Sequence, residues 1–300
     1  MKKILFSIFA IAALSLTANA QNILDAQGGD DSQPNPNHFY MHTNKNTEKE
    51  PMKYPSIREN DVIWERIIWR EIDMKEKFNQ FMYFPTDDTK SAQGRVSLVS
   101  LLYKAAKDGK FEVYDNDDMT EALAWEDALR KVASQEVMKV PTGELDEDDN
   151  EIMKDSTVFS EDFDASTANK IKLKEYWYID KQDTRQKVRI VGLAFVFDKT
   201  TYQAGQEVIV PNSESFWIPM NDYNVRKVLV NADAFDENND VIENSYDNVF
   251  VQRYFDSYIT RESNVYNRKI SDYLTGEDAL MESQRIEDNI FDIESDMWEY

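Results

Sequence analysis

The chain has 300 residues and is strongly acidic, with 57 Asp and Glu against 34 Lys and Arg and a formal charge of −23, so it repels nucleic acid and anionic lipid headgroups. It contains no Cys, which excludes disulfides, cysteine nucleophiles, thiolate metal sites and iron–sulfur clusters. A fold of this length must rest on its apolar core, as one large domain or two modest ones.

Residues 1–20 read as a signal peptide. Met1-Lys2-Lys3 is a short basic start, Ile4 to Leu16 is apolar but too short to span a bilayer comfortably, and Ala18-Asn19-Ala20 supplies a small-x-small cleavage site, so the mature chain is expected to begin at Gln21. Loss of Lys2 and Lys3 makes the remainder more acidic by two units. No Cys follows the apolar run to carry a lipid, and no later stretch approaches about 18 apolar residues. The expectation is an exported, soluble protein with no membrane span.

Residues 21–55 are rich in Gly, Pro, Asn, Asp and Gln, which predicts a flexible N-terminal segment. It holds both His of the chain, His38 and His42. Their spacing of four would suit a shared metal on a helix, but no other ligand accompanies them and the surroundings break helices, so two solvated His are expected.

Residues 56–138 read as a first folded unit, helical or mixed. On a helical wheel Ile63, Trp64, Ile67, Ile68 and Ile72 form one wide stripe, while Val62 and Trp69 fall on the far side. The run predicts a helix that ends before Trp69 or is covered on both sides. Leu98, Leu101, Leu102, Ala105 and Ala106 predict a helix over Ser97–Lys107, stopped by Asp108-Gly109. Lys110–Tyr114 alternates like a short strand, and Thr120–Ser134 carries Leu123, Ala124, Ala128 and Leu129 at helical spacing.

Residues 139–170 are expected to be an acidic linker or loop. Between Pro141 and Asp164 ten Asp and Glu are balanced only by Lys154. The stretch lacks the central Gly and the alternation of a calcium loop. Residues 171–300 read as a second unit. Val188–Phe197 is almost wholly apolar, as a strand buried on both faces requires, and Glu207–Val210 and Ser215–Ile218 look like further strands. Asp236–Asp247 again resembles a calcium loop but has Val241 where Gly is needed, so a polar turn is expected. Helices are predicted over Tyr246–Glu262 and over Gly276–Trp298, the latter with Ala279, Ile286, Ile290, Ile293 and Met297 in one direction and Leu280, Phe291 and Trp298 beside them. The fold class is α+β, mixed helices and short strands in two subregions joined by the acidic stretch.

Chemistry is sparse. The sequence shows no Gly-rich phosphate loop, nucleophile elbow or His-Glu zinc motif, and with both His in the leading segment a serine triad lacks a base. Carboxylates are too abundant to single out a catalytic pair. No enzyme activity, cofactor or metal is expected. The concentration of aromatic and charged side chains in Val62–Pro85, "VIWERIIWREIDMKEKFNQFMYFP", suits contact with other protein. Trp64 and Trp69 would supply rigid apolar area there, oriented by Arg70, Asp73 and Lys77, although Trp64 is accounted for more simply as a core residue.

The same run, through "IWREIDMKEKFN" and "YFP", resembles the N-terminal hallmark of the GldN/PorN family of gliding-motility and type IX secretion proteins. The strings "EYWYIDKQDTRQKVRIVGLA", "RYFDSYITRESNVYNRKISDY" and "ALMESQRIEDNIFDIESDMWEY" resemble that family in the same order, so the likeness covers most of residues 56–300. It implies a non-catalytic periplasmic structural subunit. Such a subunit associates with copies of itself and with an outer-membrane lipoprotein of the GldK/PorK kind in a ring beneath the outer membrane. It also meets the periplasmic part of an inner-membrane-anchored subunit of the GldM/PorM kind. A reading of a different class is a periplasmic binding module that captures Ca²⁺ or a polysaccharide through the acidic segments.

Overall fold

The computed structural model describes residues 48–86, 95–145, 151–159, 164–183, 185–203, 206–235 and 244–298. The expected signal peptide, His38, His42 and residues 236–243 of the second calcium-like turn lie outside the described residues. In chain order the strands are β1 (Val62–Asp73), β2 (Val113–Tyr114), β3 (Ala122–Leu123), β4 (Gln135–Leu145), β5 (Glu151–Phe159), β6 (Ala168–Asp180), β7 (Gln186–Gln203), β8 (Gln206–Pro219), β9 (Asp233–Ala234), β10 (Asn244–Ser245) and β11 (Tyr258–Glu262). The helices are α1 (Gln80–Tyr83), α2 (Leu98–Lys107), α3 (Trp125–Val132), α4 (Tyr223–Val230), α5 (Tyr246–Gln252) and α6 (Glu277–Trp298). The architecture is α+β.

Its frame is a seven-stranded antiparallel sheet in the order β11-β1-β6-β7-β8-β2-β3. The expected helix over Val62–Ile72 is corrected here: the segment is β1, paired along its length with β6 and from Ile68 to Glu71 with β11. The run is dense in Ile, Val and Trp, which fit a pleated, half-buried surface better than a helix. With four Ile and Val among its first seven residues, a helical stripe and a strand alternation can both be drawn. Pairing partners about a hundred residues or more away decide between them. In the strand, Ile68, Arg70 and Ile72 turn inward to one face and Trp69 lies on the other.

The Val188–Phe197 expectation holds within β7, where residues 192–197 are all buried. The two short strands expected after it are one continuous strand, β8. Across the sheet Ile171 pairs with Phe195, and Leu173 with Leu193, which in turn pairs with Ile218. These side chains share a core with Ile72, Met82, Leu98, Leu102, Val225, Leu229, Tyr246 and Phe250 from β1, α1, α2, α4 and α5. Burial of each large side chain contributes roughly 1.5–3 kcal/mol before chain entropy is counted. Helix α2 begins where the sequence places it: the Ser97 side chain accepts from the Ser100 N–H at 3.2 Å. It ends at Gly109, whose φ of 67° is the left-handed geometry Gly adopts without strain. In α4 and α5, Arg226 and Asp247 form a buried bidentate pair, with both bonds at 2.8 Å. Arg226 also holds the leading strap by donating to the Met52 carbonyl at 2.5 Å and stacking 4.2 Å from the Tyr54 ring.

Two other helix expectations are corrected. Of Thr120–Ser134 only Trp125–Val132 is helical, because Ala124 is extended and Ala122–Leu123 pairs with β2. Tyr246–Glu262 is helix only to Gln252. Arg253 takes a left-handed conformation (φ 56°, ψ 41°) with its N–H on Val249 and Phe250 carbonyls, which closes α5, and the chain returns as β11 to pair with β1. Helix α6 forms as expected and lies over a second, smaller apolar cluster of Ile68, Ile259, Ile270, Ile286 and Ile290, flanked by Trp64, Trp177, Leu274 and Ala279. Within the stretch expected as acidic linker or loop, β4 and β5 pair antiparallel from Gln135↔Phe159 to Leu145↔Glu151.

Candidate interaction surface around Trp69

The position of Trp69 is set by β1, one strand in from the sheet edge. Directly opposite it stand Lys174 on β6 and Arg261 on β11. Paired residues in an antiparallel sheet share a face, so the three side chains form a row. The Arg261 guanidinium sits 4.0 Å from the Trp69 ring centre and the Lys174 ammonium 5.6 Å from it. Both are within reach of the ring quadrupole. The indole N–H donates to Asp117 Oδ2 at 2.9 Å, and Lys174 donates to Asp118 Oδ1 and to the Asp117 carbonyl, each at 2.9 Å. The Lys174 hydrogen bond and charge hold the Asp118 carboxyl below its usual range. Asp117 and Asp118 belong to the turn between β2 and β3, which Lys131 of α3 ties down through the Asp115 carbonyl at 3.0 Å.

Below this row the pattern continues with charge. Glu71 accepts from the Tyr258 hydroxyl at 2.7 Å and from Lys170 at 3.3 Å, and Lys172 reaches Glu214 on β8 at 2.6 Å. Burial raises the Tyr258 hydroxyl above its ordinary pKa, partly opposed by the Lys170 hydrogen bond. Beside them an open cleft of about 420 Å³ is lined by Trp69, Lys172, Trp217, Tyr258, Thr260 and Arg261, with its outer wall from Lys269–Ser271 and Gly276–Leu280. Gly192 lets the turn settle on the sheet: an added Cβ would meet Trp217 Cε3 at 3.1 Å and Met119 Cε at 3.2 Å.

The four residues expected at a subunit contact occupy different surroundings. Trp69 is half-buried at the cleft. Asp73 pairs with Lys170 across the strands on the same face, and its carboxylate accepts from the Lys75 N–H at 2.9 Å. Arg70 is on the opposite face, 3% exposed, and donates to Glu287 of α6 at 2.5 Å. Burial pushes its guanidinium below the ordinary value, against the pull of Glu175 and Glu287. Its Nε is buried without a partner. Lys77 lies past the strand end and is exposed. Next to it, the Phe78 and Tyr254 rings meet at a tilt with centres 4.9 Å apart and are each 48% exposed. Trp64 packs against the cluster under α6, as a core role requires.

Sequence reading missed the partners of Trp69, because Asp117, Lys174 and Arg261 are distant along the chain. One signal was available: Lys170, Lys172 and Lys174 alternate with apolar residues, the mark of a strand with one cationic face. Among the described residues no group of three or more His, Cys, Asp or Glu is placed to hold a metal ion. No helix among them is long and apolar enough to cross a membrane.

A protein-family model described as "Gliding motility associated protein GldN" matches residues 57–299. No curated protein matches the chain.

Proposed function

Since the chain belongs to the GldN family and is thus a component of the gliding-motility and type IX secretion machinery, we propose that it is a non-catalytic structural subunit working in the periplasm. In this reading it forms a ring with copies of itself and an outer-membrane lipoprotein of the GldK/PorK kind. It also contacts the periplasmic part of an inner-membrane-anchored subunit of the GldM/PorM kind. The observation that carries the reading is the family match across nearly the whole of the described chain. The surface around Trp69 supports it. A half-buried indole clamped by Asp117, Lys174 and Arg261 is already rigid, so a partner closing over the cleft loses little further side-chain entropy. Trp and Arg are also the residue types that dominate binding energy at protein interfaces.

The test is native sizing of the mature protein alone and mixed with the lipoprotein partner's soluble domain, followed by imaging of the heaviest fraction. Large annular particles that need both proteins are the expected result. A monomer that ignores the partner at micromolar concentration overturns the assembly reading.

A further inference from the structure

Helix α6 is buried on one side only. Ala279, Ile286 and Ile290 cover the sheet, while Leu280, Met281 and Phe291 stand 59, 67 and 68% exposed. Positions 280, 284, 287 and 291 fall on one line along a helix, so Leu280 and Phe291 share a ridge with Met281 at its side. A helix that only covers a sheet carries polar residues there. The rim of this ridge is acidic. Over its 22 residues α6 has eight Asp and Glu against one cation, Arg285, whose Nε donates to Glu282 at 2.7 Å. Glu287, Asp288 and Glu294 are the helical neighbours of Phe291.

A second feature points outward. The last turn of α6 has no basic residue, and Asp292, Glu294 and Asp296 crowd the C-terminal half. The C-terminal end of a helix already carries the negative pole of its dipole, so these carboxylates destabilise the isolated helix and cations supplied from outside relieve it. A second copy placed face to face would set like charges against each other. A shallow groove lined by Asp278, Met281, Glu282, Arg285 and Asp288 adjoins the ridge at Met281.

We infer that the outer face of α6 is a docking ridge for a basic amphipathic segment of another protein. Apolar side chains of that segment seat on Leu280, Met281 and Phe291, and its Lys or Arg meet Asp288, Asp292 and Glu294. The inference rests on the assembly reading above and adds the surface and the chemistry of the partner.

The test uses the full mature chain and a synthetic amphipathic helix of Leu and Lys as probe, followed by calorimetry. Saturable binding that weakens with salt is expected for the wild type. The double variant Leu280→Ser/Phe291→Ser leaves the charge unchanged, is expected to keep the melting temperature because both side chains are mostly exposed, and is expected to bind at least about tenfold more weakly. Asp288→Asn/Asp292→Asn is expected to weaken binding and flatten its salt dependence. Equal affinity of the wild type and the serine variant, or no saturable binding by the wild type, overturns the inference. The same serine variant is then mixed with the lipoprotein partner. If peptide binding has failed while annular particles form, the α6 inference falls and the assembly reading stands. If the peptide distinguishes wild type from variant while no particles form with either, the assembly reading falls alone.

Discussion

Tyr246 is 1% exposed at the centre of the main core, where its hydroxyl donates to the Val96 carbonyl at 3.0 Å. Burial raises its pKa well above the ordinary tyrosine value because the phenolate would lose its water. The sign of the consequence is definite. Above about pH 10 the tyrosine of the unfolded chain gives up its proton while the folded one keeps it, so stability is intact below that pH and is lost as pH rises through the folded value. At pH 11 the loss from this one group is about 1.4 kcal/mol. Urea midpoints measured from pH 8 to 11 are expected to fall, and Tyr246→Phe is expected to fall less steeply. A parallel decline in both proteins contradicts the assignment. Trp69 and Arg70, neighbours in the chain, make the complementary point about residues. They were expected to act together at one contact, yet a strand sends their side chains to opposite faces, Trp69 toward Lys174 and Arg261 and Arg70 toward Glu287 of α6.

Helix α6 shows how an element is retained at a sheet edge. Its apolar stripe covers only the smaller cluster around Ile68, and its polar anchors are Glu287 on Arg70 and the Ser283 hydroxyl, which accepts from the Ile259 N–H at 2.8 Å. Arg70 is drawn electrostatically to Glu175, whose fully buried carboxylate accepts from Arg253 at 2.7 Å and Trp177 at 2.9 Å. Arg70→Ala is therefore expected to lower stability by roughly 2–4 kcal/mol. That is less than the full cost of breaking a buried pair, because Glu287 remains half in water. Hydrogen exchange locates the effect: amides of α6 and β11 exchange faster in the variant, while β6 and β7 follow only the global loss. Uniform acceleration across the sheet would argue against a local role for Arg70. Elements with local signals were legible. The Ser97 cap and Gly109 stop bound α2, and the unbroken apolar run of β7 declared its burial. β1 and β11 were not legible, since both carry enough aromatic and branched residues to be drawn on a helix and become strands only by distant pairing, β1 with β6 and β11, and β11 with β1.

At the scale of the molecule the seven-stranded sheet draws β1 from the first expected unit and sets it between β6 and β11 of the second. A chain restricted to residues 171–300 loses the strand between those two, leaving Ile259 unpaired and Leu173 paired on one side only, with Leu193 of β7. It is expected to lack a cooperative melt, whereas adding residues 50–138 as a separate chain restores some structure only if β1 inserts. Cooperative unfolding of 171–300 alone, with a circular-dichroism strand signal, would establish an autonomous second unit.

Charge, the missing Cys, the α+β class and the four-part family resemblance could all be read before any coordinates, because each depends on residue types or on patterns within about twenty neighbours. The row Lys174–Trp69–Arg261 could not, nor the separation of Trp69 from Arg70, nor the exposed side of α6. Those depend on which distant strand lies beside β1, and in an antiparallel sheet a shift of one residue turns every side chain to the other face.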